Sequence, residues 1–397
     1  MRLLGAPKAW ARIAGALVLV AALAASVGTA VPAQAALSSG NWAEQTLPPN
    51  FVIADGSNGP ALSPVSCVPG TRFCLVVAAD QAVTVDGFLI GQGTLVTTDG
   101  GQSWTGYAGL PSTFRVTAVS CVSVSECWAA GPGWEDEPHV AESTDGGQTW
   151  TDVSPPAWAT ATWWPNAIDC VSATTCYVAG TNNASDLQNP AAAKTTNGGA
   201  TWTVFTNLPT FTSSDPNGTY VLNGISCVSP RSCVAAGGLN EADGTATVIS
   251  TTDGGSTWSR SLDPSLANVQ QFFSVSCLRT LGLPACVGAG SALEAAGPVA
   301  LESRDGGATW GGMQTLDTTG WLNSVSCATT WNCWAAGAGT SVSLAGTSNG
   351  GETWSTVTSD TTNQDGSVSC LSIKVCVATT DNGLWVTSND GGLAWAG

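Results

Sequence analysis

The stretch Thr97-Thr98-Asp99-Gly100-Gly101-Gln102-Ser103-Trp104 sets the reading of the whole chain. The same pattern, [ST]-x-[DN]-G-G-x-[ST]-W, returns at 143–150, 195–202, 251–258, 303–310 and 347–354, and once more at 388–395, where Ala394 stands in place of the hydroxyl residue. An acid or amide followed by paired glycines is a turn. The side-chain oxygen accepts nearby backbone N–H groups, the glycines allow φ > 0, and the hydroxyl ties the turn from its far side. The tryptophan then opens a strand and buries its indole between neighbouring sheets. The acceptors are Asp99, Asp145, Asn197, Asp253, Asp305, Asn349 and Asp390. Asparagine in two copies suits a hydrogen-bond acceptor better than an acid catalyst. One carboxylate per turn also falls short of the alternating oxygen ligands of a calcium loop.

Between these turns lie cysteine pairs: Cys67/Cys74, Cys121/Cys127, Cys170/Cys176, Cys227/Cys233, Cys277/Cys286, Cys327/Cys333 and Cys370/Cys376. Within a hairpin this spacing can place two sulfurs on facing strands, at Cα separations of about 4.5–5.5 Å. Seven local disulfides follow, each worth on the order of 2 kcal/mol in loop entropy. A zinc site would need four grouped ligands, whereas one pair per repeat spreads the thiolates apart, so no metal is expected.

Each repeat parses into four short apolar runs. In the second they are Val116 to Cys121, Cys127 to Ala130, His139 to Ser143 and Thr149 to Val153, divided by glycine, proline and aspartate clusters. Runs of this length between turn signals are strands. The pattern predicts an all-β fold, a seven-bladed β-propeller of four-stranded antiparallel blades, with an elongated solenoid as the competing architecture. Only two residues follow Trp395, so the last blade lacks an outer strand. Residues 40–48, around Trp42, read as that missing strand and should close the ring.

Residues 1–35 read as a cleaved secretory signal: a basic start at Arg2, Lys8 and Arg12, an apolar run from Ile13 to Val27, and a small-residue site ending at Ala35. Residues 36–397 then form a single propeller, secreted to a compartment where disulfides persist. No other stretch is long and apolar enough to span a bilayer. The 397-residue chain has 11 Lys+Arg against 28 Asp+Glu, a formal net charge of −17. That balance excludes binding by phosphate neutralisation, so neither nucleic acid nor an anionic membrane is an expected partner. P-loop and dinucleotide motifs are missing, and no cofactor is called for. A monomer is expected.

With seven turns quoted, the sequence resembles the Asp-box, or BNR-repeat, propellers over residues 40–397. That family includes sialidases, xyloglucan-degrading glucanases, sorting-receptor ectodomains and the photosystem II assembly factor proteins, the last being nearest in blade number and single-domain size. The resemblance implies Asp-box turns on the rim of one face and ligands on the opposite face. A cysteine pair in every blade and a low arginine count depart from the assembly-factor pattern.

Three functions fit the resemblance. A sialidase would need an arginine triad, but Arg72, Arg231 and Arg279 fall in cysteine hairpins, Arg304 in an Asp box and Arg260 just after a turn, leaving only Arg115 well placed. Another glycoside hydrolase would need two carboxyl groups flanking the sugar bond. Its candidates are Glu135, Asp136 and Glu137 in the loop Trp134-Glu135-Asp136-Glu137-Pro138-His139, with Asp215, Glu241 and Asp243 in other loops of that face. A non-catalytic binding module for an extracellular glycan or protein would use the aromatic residues of the same face: Trp134, Trp158, Trp163, Trp164, Phe211 and Tyr220. His139 begins a strand, and no second histidine can complete a metal site with it. The binding module is the reading preferred here, with the hydrolase second.

Overall fold

The structure is a computed structural model that describes residues 42–53, 62–85, 88–182, 189–211, 220–239, 244–293, 297–316, 320–339, 344–357, 366–380 and 383–387. Residues 1–35, expected to be an export signal, Asp215, Glu241, Asp243 and Asp390 with its turn lie outside the described residues.

The repeats fold as the turn pattern dictates. In the second blade, Ala118–Cys121, Cys127–Pro132, Pro138–Ser143 and Thr151–Asp152 pair antiparallel in sequence order. Equivalent pairings build six further four-stranded units from the described strands, the fourth and fifth joined by one bridge between Gly238 and Gln271. The last unit runs Ser367–Cys370, Cys376–Thr380, Gly383–Thr387 and then Trp42–Gln45, with Trp42 opposite Thr387 and Gln45 opposite Leu384. The N-terminal strand thus completes the last blade and closes the ring. One strand was not foreseen: Phe51–Ile53 adds to Val83–Val85 at the end of the first blade.

The core is divided among the blade interfaces. One hydrophobic cluster lies between each successive pair; Leu75 and Val77 of the first blade, for example, pack with Val119 and Ala129 of the second. Val377 of the last blade packs with Val76 and Leu95 of the first, across the closure. The architecture is therefore the closed propeller, not the solenoid.

All seven cysteine pairs are disulfides: Cys67–Cys74, Cys121–Cys127, Cys170–Cys176, Cys227–Cys233, Cys277–Cys286, Cys327–Cys333 and Cys370–Cys376. The members of each pair sit directly opposite in the strand register, as Cys67 does to Cys74. No cysteine is free. One expectation about these bridges needs correction. The Cα atoms of Cys67 and Cys74 lie 4.0 Å apart, closer than the hairpin spacing predicts. The Cys67 N–H turns away from Cys74 to the Ser369 hydroxyl of the last blade, which makes this the non-hydrogen-bonded kind of cross-strand pair, where side chains approach most closely. The bridges also contribute to the core. Cys74, Cys127 and Cys176 have no exposed surface, and Cys74 packs in the cluster with Val76 and Leu95, so the disulfides are also part of the interblade core. The reason is that each second cysteine lies at the start of the second strand of its blade, which is covered by neighbours on both faces.

The Asp-box turns act as acceptors. Asp99 Oδ1 receives the N–H groups of Gln102 and Ser103, its Oδ2 receives the Ser103 hydroxyl at 2.6 Å, and Thr97 donates to Oδ1. Where asparagine substitutes, Asn197 Oδ1 keeps the backbone bond and Nδ2 donates to Thr201 Oγ1 instead. Each described turn also holds the neighbouring cysteine hairpin, as when Gly146 N–H donates to the Ser125 carbonyl.

The innermost strand of every blade would leave its channel-side N–H groups unpaired, as at any sheet edge. The preceding blade supplies the partner. The residue before each first cysteine accepts the N–H of the next blade's first cysteine: Cys121 to Ser66, Cys170 to Ser120, Cys227 to Asp169, Cys277 to Ser226, Cys327 to Ser276, Cys370 to Ser326, and Cys67 back to Ser369. These bonds span 2.6 to 3.1 Å and form a closed circuit.

Candidate functional site

Two features stand on the face opposite the Asp-box turns. The first is the loop between the second and third strands of the second blade. Gly133 N–H donates to the Glu137 carbonyl at 2.7 Å, and Asp136 adopts φ 70°, so the chain reverses within a few residues. Trp134 is 70% exposed, its indole N–H tied to the Ser112 carbonyl at 2.8 Å. Glu137 is turned inward. Its Oε2 accepts the Glu135 N–H, and its Oε1 lies 3.1 Å from His139 Nε2.

On the other edge of that imidazole, Asp152 Oδ2 lies 2.8 Å from Nδ1, and the ring stacks on Phe114 with centroids 5.3 Å apart. The Asp152 hydrogen bond raises the His139 pKa above the ordinary histidine range; burial opposes the shift and Glu137 reinforces it. Burial would lift Asp152, but bonds from His139 and Ser154 outweigh it and hold the carboxyl down at about 2. Its own backbone N–H is the main group keeping Glu137 below the usual carboxylate range; burial opposes, and His139 and the Glu135 N–H add to the lowering. A carboxyl so engaged is a poor proton donor, whereas the acid of a glycosidase needs a raised pKa. Glu135 and Asp136 are exposed on the turn. Sequence reading did not find Asp152, at the end of the fourth strand, or Ser154 just beyond it, which meet His139 only through sheet pairing.

The second feature is the central channel, a cavity of about 710 Å³ lined by the inner strand of every blade. Its wall is built by a repeated device. In the third to sixth blades the inner strand carries a β-bulge at Asn166, Asn223, Phe273 and Asn323. A bulge re-aims the extra residue, and all four line the channel. The facing strand permits it with a glycine four residues after its cysteine: a Cβ on Gly180 or Gly237 would overlap the carbonyl oxygen of Trp164 or Val221. The signal is visible in the sequence of those four blades as C-x-x-x-G at Cys176, Cys233, Cys286 and Cys333.

The amides also join blades. Asn166 Nδ2 donates to the Leu222 carbonyl and Asn223 Nδ2 to that of Phe272, as the Thr117 hydroxyl does to Pro165. Among the described residues lining the channel none is ionisable. Asp169 lies farther along its strand, in the hydrogen-bond circuit. Burial of its carboxyl pushes it up to about 7.

The expected aromatic surface contracts. Trp158 is 4% exposed, Trp163 5%, Phe211 7% and Tyr220 7%, all inside interblade cores. The 3₁₀ turn Pro156–Thr160 folds Trp158 in against Trp163 and Trp202, and Phe211 packs on Tyr220. Trp134 and Trp164 keep exposed faces. Trp321 was missed; it occupies the position in the sixth blade that Trp164 holds in the third, six residues before the cysteine, and lines the channel mouth. No arginine triad forms among the described residues: Arg304 pairs with Glu302 over Trp331, and Arg260 stacks on Phe211.

Neither a protein-family model nor a curated protein matches the chain. Solved structures do. YCF48 bound to D1 peptide superimposes with a TM-score of 0.57 at 16% identity, over 88% of this chain and 97% of that one. YCF48 from Cyanidioschyzon merolae gives 0.55 at 14%, over 88% and 98%. A Hadza microbial sialidase gives 0.47 at 14%, over 83% and 65%. At these identities the likeness is one of fold: the chain is a β-propeller, here with a disulfide in every blade.

Proposed function

We propose that the protein is a secreted, non-catalytic binding propeller, released by removal of residues 1–35, that takes an extracellular glycan or protein on the face opposite its Asp-box turns. The observation that carries this reading is the uncharged wall of the central channel. Hydrolysis of a glycosidic bond needs two carboxyl groups converging on one sugar. Here the neighbouring carboxylates, Glu137 of the loop and Asp152 of the fourth strand, are engaged by His139. Seven disulfides agree with export to an oxidising compartment. The YCF48 structure with bound peptide offers a precedent for a propeller of this fold acting by binding.

The test is a parallel screen of turnover and binding with the purified secreted protein, using fluorogenic glycosides, polysaccharides, a glycan array and a peptide library. Saturable binding without turnover is the expected result. Turnover that disappears in Glu135→Gln, Asp136→Asn or Glu137→Gln would replace this reading with a glycoside hydrolase.

A further inference from the structure

We propose that the central channel is a saccharide site that takes a short, uncharged glycan, engaged by the acceptor oxygens of Asn166 and Asn223 and stacked against Phe273 and Trp321. The inference rests on the binding reading above and adds the place and chemistry of the ligand. At about 710 Å³ the cavity falls within the range of about 300–1,000 Å³ usual for ligand pockets.

Its polar groups are arranged for a ligand rather than for the fold alone. The Nδ2 groups of Asn166 and Asn223 are committed to bonds with neighbouring protein oxygens, including the next blade's carbonyls, which fixes the orientation of both amides. Their Oδ1 atoms have no protein partner among the described residues. The Thr117 hydroxyl is likewise committed as a donor, to the carbonyls of Ala130 and Pro165. At Asn166 and Asn223 the wall therefore presents acceptors that want donors. Sugar hydroxyls supply them around a ring whose C–H faces pack on aromatic side chains. A peptide backbone would bring one carbonyl acceptor for each N–H, leaving acceptor against acceptor.

Charge narrows the ligand further. No ionisable side chain among the described lining residues would compensate a carboxylate or an ammonium drawn from water, and burying an unpaired charge is costly. The net charge of −17 adds repulsion against sialylated or uronate-bearing chains. The bulges at Asn166, Asn223 and Phe273 are the independent sign of a built site. They interrupt the sheet in three successive blades at one level of the channel, where bulges commonly re-aim side chains toward a ligand.

The experiment is calorimetric titration of the full secreted protein with uncharged xylo-, gluco- and manno-oligosaccharides, with sialylated and uronate-bearing oligosaccharides, and with unmodified peptides. Saturable binding of at least one uncharged series is expected. Trp321→Ala and Asn223→Leu should each weaken it at least about tenfold, as loss of a central contact does. Trp331→Ala, on the cysteine-hairpin side, should leave it unchanged. Phe273→Leu keeps an apolar group while removing the ring, and gives the same readout if Trp321→Ala or Asn223→Leu fails to fold. Binding of an uncharged glycan that falls with Trp134→Ala but not with Trp321→Ala or Phe273→Leu would overturn the channel and leave the binding reading standing. Binding only of peptides or charged glycans would overturn the ligand class alone. Turnover, or no binding of any probe, would overturn both.

Discussion

Asp152 Oδ2 lies 2.8 Å from Nδ1 of His139 while Glu137 Oε1 lies 3.1 Å from Nε2, so the chain's one imidazole is held at both edges by carboxylates. The pair members come from adjacent strands of the second blade, and the clamp fixes the base of the loop that exposes Trp134.

The clamp makes stability depend on pH in two directions. His139 has a raised pKa, so its contribution is complete below its unfolded value of 6.5 and is lost as pH rises through the folded value. Asp152 is lowered from 3.8 to about 2, so its contribution is complete above 3.8 and is lost as pH falls toward 2. The stability difference between the native protein and His139→Gln should therefore peak between about pH 4 and 6.5, at about 1 kcal/mol after allowance for solvent screening. Thermal unfolding across pH 3 to 9 measures it; a difference that does not vary with pH would contradict the clamp.

Asp169 stands in the circuit where the other blades use serine. Its carboxyl is raised to about 7 by burial, so the unfolded chain loses the proton first and folding weakens as pH rises from 3.8 toward 7. Asp169→Ser keeps an acceptor for the Cys227 N–H and removes the buried acid. It should stabilise the protein at pH 8, by on the order of a few kcal/mol, and much less at pH 4. Paired melts at the two pH values decide; equal effects would mean the carboxyl titrates normally.

The two asparagine turns predict which change an Asp box tolerates. Asp99→Asn should be close to neutral, since Asn197 and Asn349 already accept the backbone bond equivalent to that from Ser103 and donate to the hydroxyl opposite. Asp99→Ala leaves Gln102 and Ser103 without their acceptor and should destabilise by about 1 kcal/mol. Chemical denaturation of the two variants separates them.

Gly237→Ala would drive a Cβ into the Val221 carbonyl. Because backbone, not a flexible side chain, must move, the loss should exceed about 1 kcal/mol and displace the bulge at Asn223. Amide exchange along 220–226 would report the shift; unchanged protection would show that the glycine is dispensable.

The propeller was legible because each device is local. A turn of eight residues or a hairpin of seven carries its own chemistry, and repetition did the rest. Disulfide pairing and the closing role of Trp42 followed from counting alone, whereas the burial of Cys74 inside an interblade core did not, since it depends on which blade lies alongside. The site was less legible. Trp158 and Trp163 look like loop aromatics, and only the fold around Pro156–Thr160 shows them packed inward. The His139 clamp depends on a cross-strand pairing that spacing does not reveal. Asn166 and Asn223 carry no motif; the readable sign was the glycine on the facing strand, whose meaning emerges only when its missing Cβ is placed against the neighbouring carbonyl.

The bond from Cys67 to Ser369 spans 302 positions of sequence and that from Cys121 to Ser66 only 55, yet both measure 2.9 Å. To the folded molecule they are equivalent, since every blade gives one such bond and receives one. A circular permutant, with the old ends linked and new ones opened between any two blades, would keep all seven. Its folding could begin from a different blade and still arrive at the same wheel.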